Sequence, residues 1–284
     1  MKVLVTGVNG QLGYDVIKSL KSRGIECIGA DIDDFDITNK ERTELFIRDY
    51  MPTVVVHCSA YTAVDKAEGE KEICYKVNAE GTRNIAIVCK EIDAKMIYIS
   101  TDYVFPGNGD HYYEVNNKTG PLCVYGLSKL QGEEAVKDVL EKYFIVRISW
   151  VFGLNGNNFV KTMLRLGKEK EVINVVADQI GSPTYTADLA ILLCDMLLTE
   201  NYGIYHATNE GVCSWAEFAS EIFKIAGLKT KVNPIITDEY PTKAVRPKNS
   251  RMSKEKLIKN GFHKLPCWKD ALLRCVSELL FEMR

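Results

Sequence analysis

Two residues four apart, Tyr125 and Lys129 in the segment Tyr125-Gly126-Leu127-Ser128-Lys129, fall on one face if the segment is helical. A lysine ammonium held beside a phenol lowers the phenol's pKa and makes it a better proton donor or acceptor near neutral pH. Thr101 closes the apolar run IYIST, and ligands of parallel sheets bind at that end of their strands, where a hydroxyl can donate to a substrate carbonyl. A third candidate is the segment Thr6-Gly7-Val8-Asn9-Gly10-Gln11-Leu12-Gly13, which follows a strand pattern and opens an amphipathic helix pattern. Glycines at 7, 10 and 13 permit a tight turn, close approach of backbone to a pyrophosphate and helix packing on the strand, while the helix start supplies N–H groups and partial positive charge. Asp31 ends the next strand 18 residues past Gly13, where an acid bonds an adenosine ribose and repels the extra phosphate of NADP. No arginine follows before Arg42, and Asp33, Asp34 and Asp36 add negative charge, so NAD(H) is favoured and NADP(H) stays open. Asp36 fits the edge of an adenine pocket, and with Thr38 it also fits a helix cap.

Composition excludes several other classes. The chain has 284 residues, 46% hydrophobic and 26% charged, in the range of ordinary globular proteins. A formal charge of −2 leaves no cationic surplus for nucleic acid. The nine cysteines are odd in number, widely spaced and set in apolar runs such as VVVHCSA, so they read as reduced core residues. The four histidines form no zinc pattern, and no metal site is expected. No apolar run is long enough to span a bilayer and MKVLVTGVNG reads as a strand, which points to no membrane association and a cytoplasmic location.

These residues need a scaffold, and the pattern supplies one. Short β-branched runs (KVLVTG, ECIGAD, TVVVHCSA, KMIYIST, FIVRISWVFG) alternate with helical segments, the signature of βαβ units. Runs apolar at every position imply strands buried on both faces. The expected fold is an α/β, Rossmann-like doubly wound parallel sheet with six parallel strands by residue 153 and a smaller, discontinuous substrate-binding lobe. Residues 1–153 form the dinucleotide-binding domain, with a returning strand and helix at about 184–210. Residues 154–183 and 211–284 form the smaller lobe.

The combination TGxxGxxG, a strand-end Thr and YxxxK resembles the extended short-chain dehydrogenase/reductase family. Whole stretches are similar to its dTDP-4-dehydrorhamnose reductase branch: HCSAYTAVDKAE at 57–68, STDYVFPGNGD at 100–110, VYGLSKLQGE at 124–133, RISWVFG at 147–153, NNFVKTML at 157–164, DQIGSPT at 178–184 and RPKNSR at 246–251. The resemblance implies Thr101, Tyr125 and Lys129 as the catalytic set, with Tyr125 giving a proton to a sugar 4-carbonyl as hydride arrives from the nicotinamide and Lys129 also holding the nicotinamide ribose. It implies Gly10, Gln11 and Leu12 at the pyrophosphate, Asp31 at the adenosine ribose, and Ala60, Tyr61 and Thr62 at the cofactor after strand four. Substrate contacts implied for a dTDP-sugar are Thr101, Asp102, Tyr103, Trp150, Asn157 and Arg246. Asn78 lies near the active site of related reductases, and we read it as structural first. Enteric relatives bind magnesium through glutamates at a dimer interface; Asp15 stands at the corresponding early position and the other ligands have no match, which leaves magnesium and a homodimer open. The alternatives are a nucleotide-sugar dehydratase, against which Thr101-Asp102-Tyr103 lacks the acidic pattern of dehydratases, another nucleotide-sugar epimerase or reductase of the extended family, which that pattern leaves open, and a silent regulatory subunit resembling methionine adenosyltransferase beta, against which the catalytic set is complete.

Overall fold

The computed structural model describes residues 1–282. Its central sheet has six parallel strands, β1 (Lys2–Thr6), β2 (Glu26–Ala30), β3 (Val54–His57), β4 (Lys95–Thr101), β5 (Tyr143–Ile148) and β6 (Gly203–His206), in the spatial order β2-β1-β3-β4-β5-β6. The chain winds outward in both directions from the β1–β3 junction, so a crevice opens there beyond the carboxyl ends of the strands.

Strand alternation explains the two apolar layers. Val3, Val5, Val54, Val56, Ile97, Phe144 and Val146 face helices α1 (Gln11–Ser22) and α6 (Thr186–Met196), which contribute Val16, Leu20, Leu189 and Leu193. The intervening residues Leu4, Val55, Met96, Tyr98 and Ile145 face the opposite layer, made by α2 (Lys40–Tyr50), α3 (Thr82–Glu91) and α4 (Val124–Val139), with Ile47, Ile85 and Val136. A period of two thus divides each strand between two cores. Asn39 caps α2 by accepting from Arg42 N at 3.0 Å, while Asp36 closes its own turn on Thr38.

The strand count differs from the sequence expectation. Five strands of the sheet precede residue 153, and β6 joins beside β5 only after α6. The acidic stretch after β2 runs in turns that hydrogen-bond internally, Asp34 N to Asp31 O and Asn39 N to Asp36 O, and adds no strand. Ala60, Tyr61 and Thr62 therefore follow the third strand, not the fourth. Val151–Phe152 leaves the main sheet and pairs with Thr184–Tyr185.

A separate apolar cluster lies among α5 (Phe159–Glu169), α7 (Trp215–Ile225) and α8 (Trp268–Glu282), with Phe152, Met163, Phe218, Ile222, Trp268 and Leu272 at its centre. Ser214 and Glu217 start α7 with a reciprocal capping box. A three-stranded ladder of Cys213–Ser214, Ile180–Gly181 and Asn249–Ser250 carries the late chain back toward the end of β4. No helix of the described residues is long and apolar enough to cross a membrane.

Phe218 is fully buried against the rings of Phe152, Phe159 and Trp268, with centroids 5.6, 5.8 and 5.7 Å away. Phe218→Ala is expected to cost about 3–5 kcal/mol through lost burial and a residual cavity. Urea unfolding checks this, and a loss below about 1 kcal/mol would show that the aromatic cluster closes around the gap.

Candidate active site

The first strand ends at Thr6 and the chain turns at Gly7 with φ of +72°, where a Cβ would sit 2.7 Å from Ser59 N. Only glycine combines that dihedral with that approach. Gly10 is the N-cap of α1 and no side chain caps the helix, so the N–H groups of Gln11, Leu12 and Gly13 are left for a ligand. They open onto a cavity of about 630 Å³. Gly7, Gly10, Gln11, Leu12, Gly13, Asp31, Asp36, Ala60 and Thr62 line one part of it, and Thr101, Asp102, Tyr103, Tyr125, Lys129, Trp150 and Asn157 line the rest. The Asp31 carboxylate accepts from Asn9 N at 2.9 Å and Ile32 N at 2.8 Å, which fixes it at the rim of the glycine turn. An uncapped helix start and a carboxylate at the end of β2 suit a dinucleotide pyrophosphate and ribose.

Helix α4 brings the second set. Cys123 caps it through a weak Sγ contact from Gly126 N at 3.5 Å, and Tyr125 and Lys129 then lie one turn apart facing the sheet. Lys129 is 3% exposed, its ammonium 4.1 Å from the centre of the Tyr98 ring. Burial lowers its pKa to about 7, with Glu133 opposing the shift. Burial raises the Tyr125 phenol, Thr101 draws it down by hydrogen bonding and Asp102 pushes it further up. The sequence expectation that lysine lowers this phenol does not describe the balance, because desolvation outweighs every charge near it. The neutral phenol is the form that donates a proton.

The Thr101 hydroxyl donates to Asp102 Oδ1 at 3.0 Å and accepts from Tyr103 N at 3.2 Å. Ser250 Oγ donates to Asp102 Oδ2 at 2.5 Å, and burial nonetheless raises the Asp102 carboxyl to about 6. Tyr103 meets Tyr125 edge to face at 5.4 Å. Trp150 adopts φ of +50°, rare for a bulky residue, and stacks on Trp215 at 3.8 Å.

Two sequence candidates behave differently. The Tyr61 phenol turns to Glu70, and its backbone N–H donates to Asn78 Oδ1 at 2.8 Å, so the side chain is not on the cavity wall. Arg246 is also off that wall, gripping Asp65 through two bonds of 3.1 and 2.6 Å. Asn78 is fully bonded, donating to Ser128 Oγ at 2.9 Å and to Tyr61 O at 3.1 Å, and ties the 60–62 loop to α4. Asp15 is buried and accepts from Thr186, and no group of three His, Cys, Asp or Glu suited to a metal occurs among the described residues. Sequence reasoning missed Ser250, Glu133, Arg147 and Asn158. Asn158 caps α5 and donates to Gln11 Oε1 at 2.9 Å, a link no local motif announces.

The doubly wound sheet, the uncapped glycine turn, the buried Thr101 and Lys129 and the half-buried Tyr125 together define a nicotinamide-dependent oxidoreductase. Residues 1–281 match the family model described as RmlD substrate binding domain. The chain is 41% identical to dTDP-4-dehydrorhamnose reductase of Aggregatibacter actinomycetemcomitans, over 95% of this chain and 97% of that one. It is 39% identical to the spore coat polysaccharide biosynthesis protein SpsK of Bacillus subtilis, over 98% of this chain and 97% of that one. The crystal structure of dTDP-4-dehydrorhamnose reductase from Bacillus anthracis in complex with NADP superposes with a TM-score of 0.95 at 45% identity, covering 98% of this chain and 99% of that one. The chain belongs to the dTDP-4-dehydrorhamnose reductase family.

Asp102, 3% exposed, binds its proton more tightly folded than unfolded, so its contribution to stability is present below pH 4 and is lost as the pH rises through about 6. Asp102→Asn removes that dependence. The unfolding free energy of the variant relative to the parent is expected to improve by about 2–3 kcal/mol between pH 4 and pH 7. A difference that stays constant with pH would contradict the raised pKa.

Proposed function

We propose that the chain reduces the 4-keto group of dTDP-4-dehydro-L-rhamnose to give dTDP-L-rhamnose. The observation that carries this reading is the convergence of Thr101, Tyr125 and Lys129 on the same cavity as the glycine turn. The nicotinamide dinucleotide, when bound, supplies the hydride. Gln11, Leu12 and Gly13 would hold its pyrophosphate through backbone N–H groups, and Asp31 its adenosine ribose.

Tyr125 donates its phenolic proton to the oxygen of the sugar carbonyl. Burial keeps that phenol protonated until it is needed, and the neighbouring Lys129 ammonium stabilises the phenolate left behind. The Thr101 hydroxyl, which donates to Asp102 in the free protein, would turn its proton to the carbonyl oxygen, while Ser250 holds Asp102 in place. Tyr103 and the rigid Trp150 form the wall against which the sugar packs, and Asn157 lies at its edge. Arg246 contributes from behind this wall by bracing the Val64–Ala67 helix through Asp65.

Asp31 favours NADH over NADPH, since a carboxylate at the end of β2 repels the 2′-phosphate and no arginine follows before Arg42. A soluble, cytoplasmic enzyme fits the absence of a membrane-spanning helix among the described residues. A homodimer, the assembly raised by the resemblance, is tested by sedimentation.

The reading is tested by following reduced-nicotinamide absorbance with NADH or NADPH and dTDP-4-dehydro-L-rhamnose. Cofactor consumption matched by dTDP-L-rhamnose is expected, and binding of cofactor without consumption would overturn it. Tyr125→Phe should lower turnover by about 10²–10⁴-fold and leave NADH affinity nearly unchanged, because it removes a proton donor and no binding contact. Near-normal turnover would remove Tyr125 from the reaction. Asp31→Ala should move the NADPH to NADH preference by about tenfold toward NADPH, as read from the ratio of kcat/KM values. An unchanged ratio would place the discrimination elsewhere.

A further inference from the structure

Glu133 is 0% exposed. It stands one turn beyond Lys129 and two beyond Tyr125, so phenol, ammonium and carboxylate form one stripe down the sheet-facing side of α4. Its Oε1 accepts from Ser100 Oγ at 2.6 Å and from Arg147 Nε at 2.8 Å, and its Oε2 accepts from Arg147 Nη2 at 2.7 Å. Ser100 and Arg147 are paired across β4 and β5, and the next pair along is Thr101 with Ile148. Arg147 also donates through Nη1 to Val115 O at 3.1 Å and lies 5.0 Å from the centre of the Phe105 ring. The carboxylate therefore joins the catalytic helix to the neighbouring strands β4 and β5 at the rung just below the reacting hydroxyl.

We propose that Glu133 is a positioning residue that fixes α4 over the Thr101 end of β4 and supplies the negative charge that keeps the Lys129 ammonium protonated inside the cavity. This rests on the role given to Lys129 under the proposed function.

The groups facing Lys129 leave Glu133 as the partner with a standing negative charge. The Tyr98 ring of β4 lies against the ammonium, Cys58 follows β3, Cys74 comes from the Lys71–Tyr75 helix, His57 faces it from β3, and Tyr125 stands above it on α4. Burial keeps the Cys58 and Cys74 thiols and the Tyr125 phenol neutral at physiological pH and holds His57 uncharged. A buried ion pair is replaceable by packed apolar groups when it serves only as glue. Here one end of the pair borders a second buried cation. Removing the carboxylate leaves Arg147 and Lys129 as two cations in one dry cluster, and the lysine is the one that can release a proton.

The test reads the lysine directly in the protein without cofactor or sugar. Lysine Cε is labelled with carbon-13, the Lys129 resonance is identified by its loss in Lys129→Met, and its titration is followed. Glu133→Gln is expected to lower the midpoint by about one pH unit or more. Ser100→Ala, which removes an anchor and no charge, is expected to leave the midpoint in place while lowering kcat with little change in KM. An unmoved midpoint in folded Glu133→Gln, or an equal shift in Ser100→Ala, would overturn the proposal. If Glu133→Gln does not fold, Arg147→Met decides: it leaves the carboxylate facing Lys129 alone and should move the midpoint upward, and a midpoint that falls or stays would overturn the proposal. Since no turnover enters the titration, wild-type protein that fails to reduce the sugar would sink the functional reading and leave this result standing.

Discussion

Helix α4 lies nearer the sheet than side chains ordinarily permit. At Gly132 a Cβ would collide with the Tyr98 hydroxyl and with the backbone carbonyl of Asn78, and at Gly126 with the carbonyl of Tyr103. That approach sets Tyr125 and Lys129 against the carboxyl ends of β3 and β4. It also strips their water, which accounts for the opposite directions in which burial moves the phenol and the ammonium. Asn78, in the turn before α3, and Glu133, one turn past Lys129, secure the helix from two sides by hydrogen bonds.

The two ends of the cavity are tied by similar means. Asn155 Nδ2 donates to the carbonyls of Asn9 and Gly10 at 2.9 and 3.0 Å, so the loop after β5 rests on the glycine turn. From the other side Ser250 reaches Asp102, 148 residues away in sequence, because the Asn249–Ser250 strand pairs with Ile180–Gly181. The glycine turn and the Thr101 hydroxyl are thereby held by segments from both halves of the chain. The family's fold uses the parallel sheet as a fixed floor and lets the later, less regular segments complete the site.

Much of this was legible in the sequence because it is local. The glycine turn needs only its own residues and the strand before it, and Tyr125 with Lys129 needs only helical spacing. Apolar runs gave the strands, although five and not six of them precede residue 153, and the sixth arrives at Gly203–His206. What could not be read is the pairing of residues far apart. Arg246 has the chemistry of a diphosphate ligand, yet its partner is Asp65, 181 residues away. Likewise the effect of Lys129 on Tyr125 depends on how dry the site is, and dryness is a property of the packed fold rather than of a motif.

In the proposed reaction the sugar C4 receives a hydride from the nicotinamide and the oxygen on that carbon receives a proton from Tyr125, two partners that meet in this cavity. This delivery is tested most directly by reacting dTDP-4-dehydro-L-rhamnose with NADH carrying deuterium at both C4 positions and locating the label in the nucleotide-sugar product by nuclear magnetic resonance. One deuterium at sugar C4, with none from solvent at that carbon, is the result the account predicts. Product without the label at C4, or label at another carbon, would contradict it.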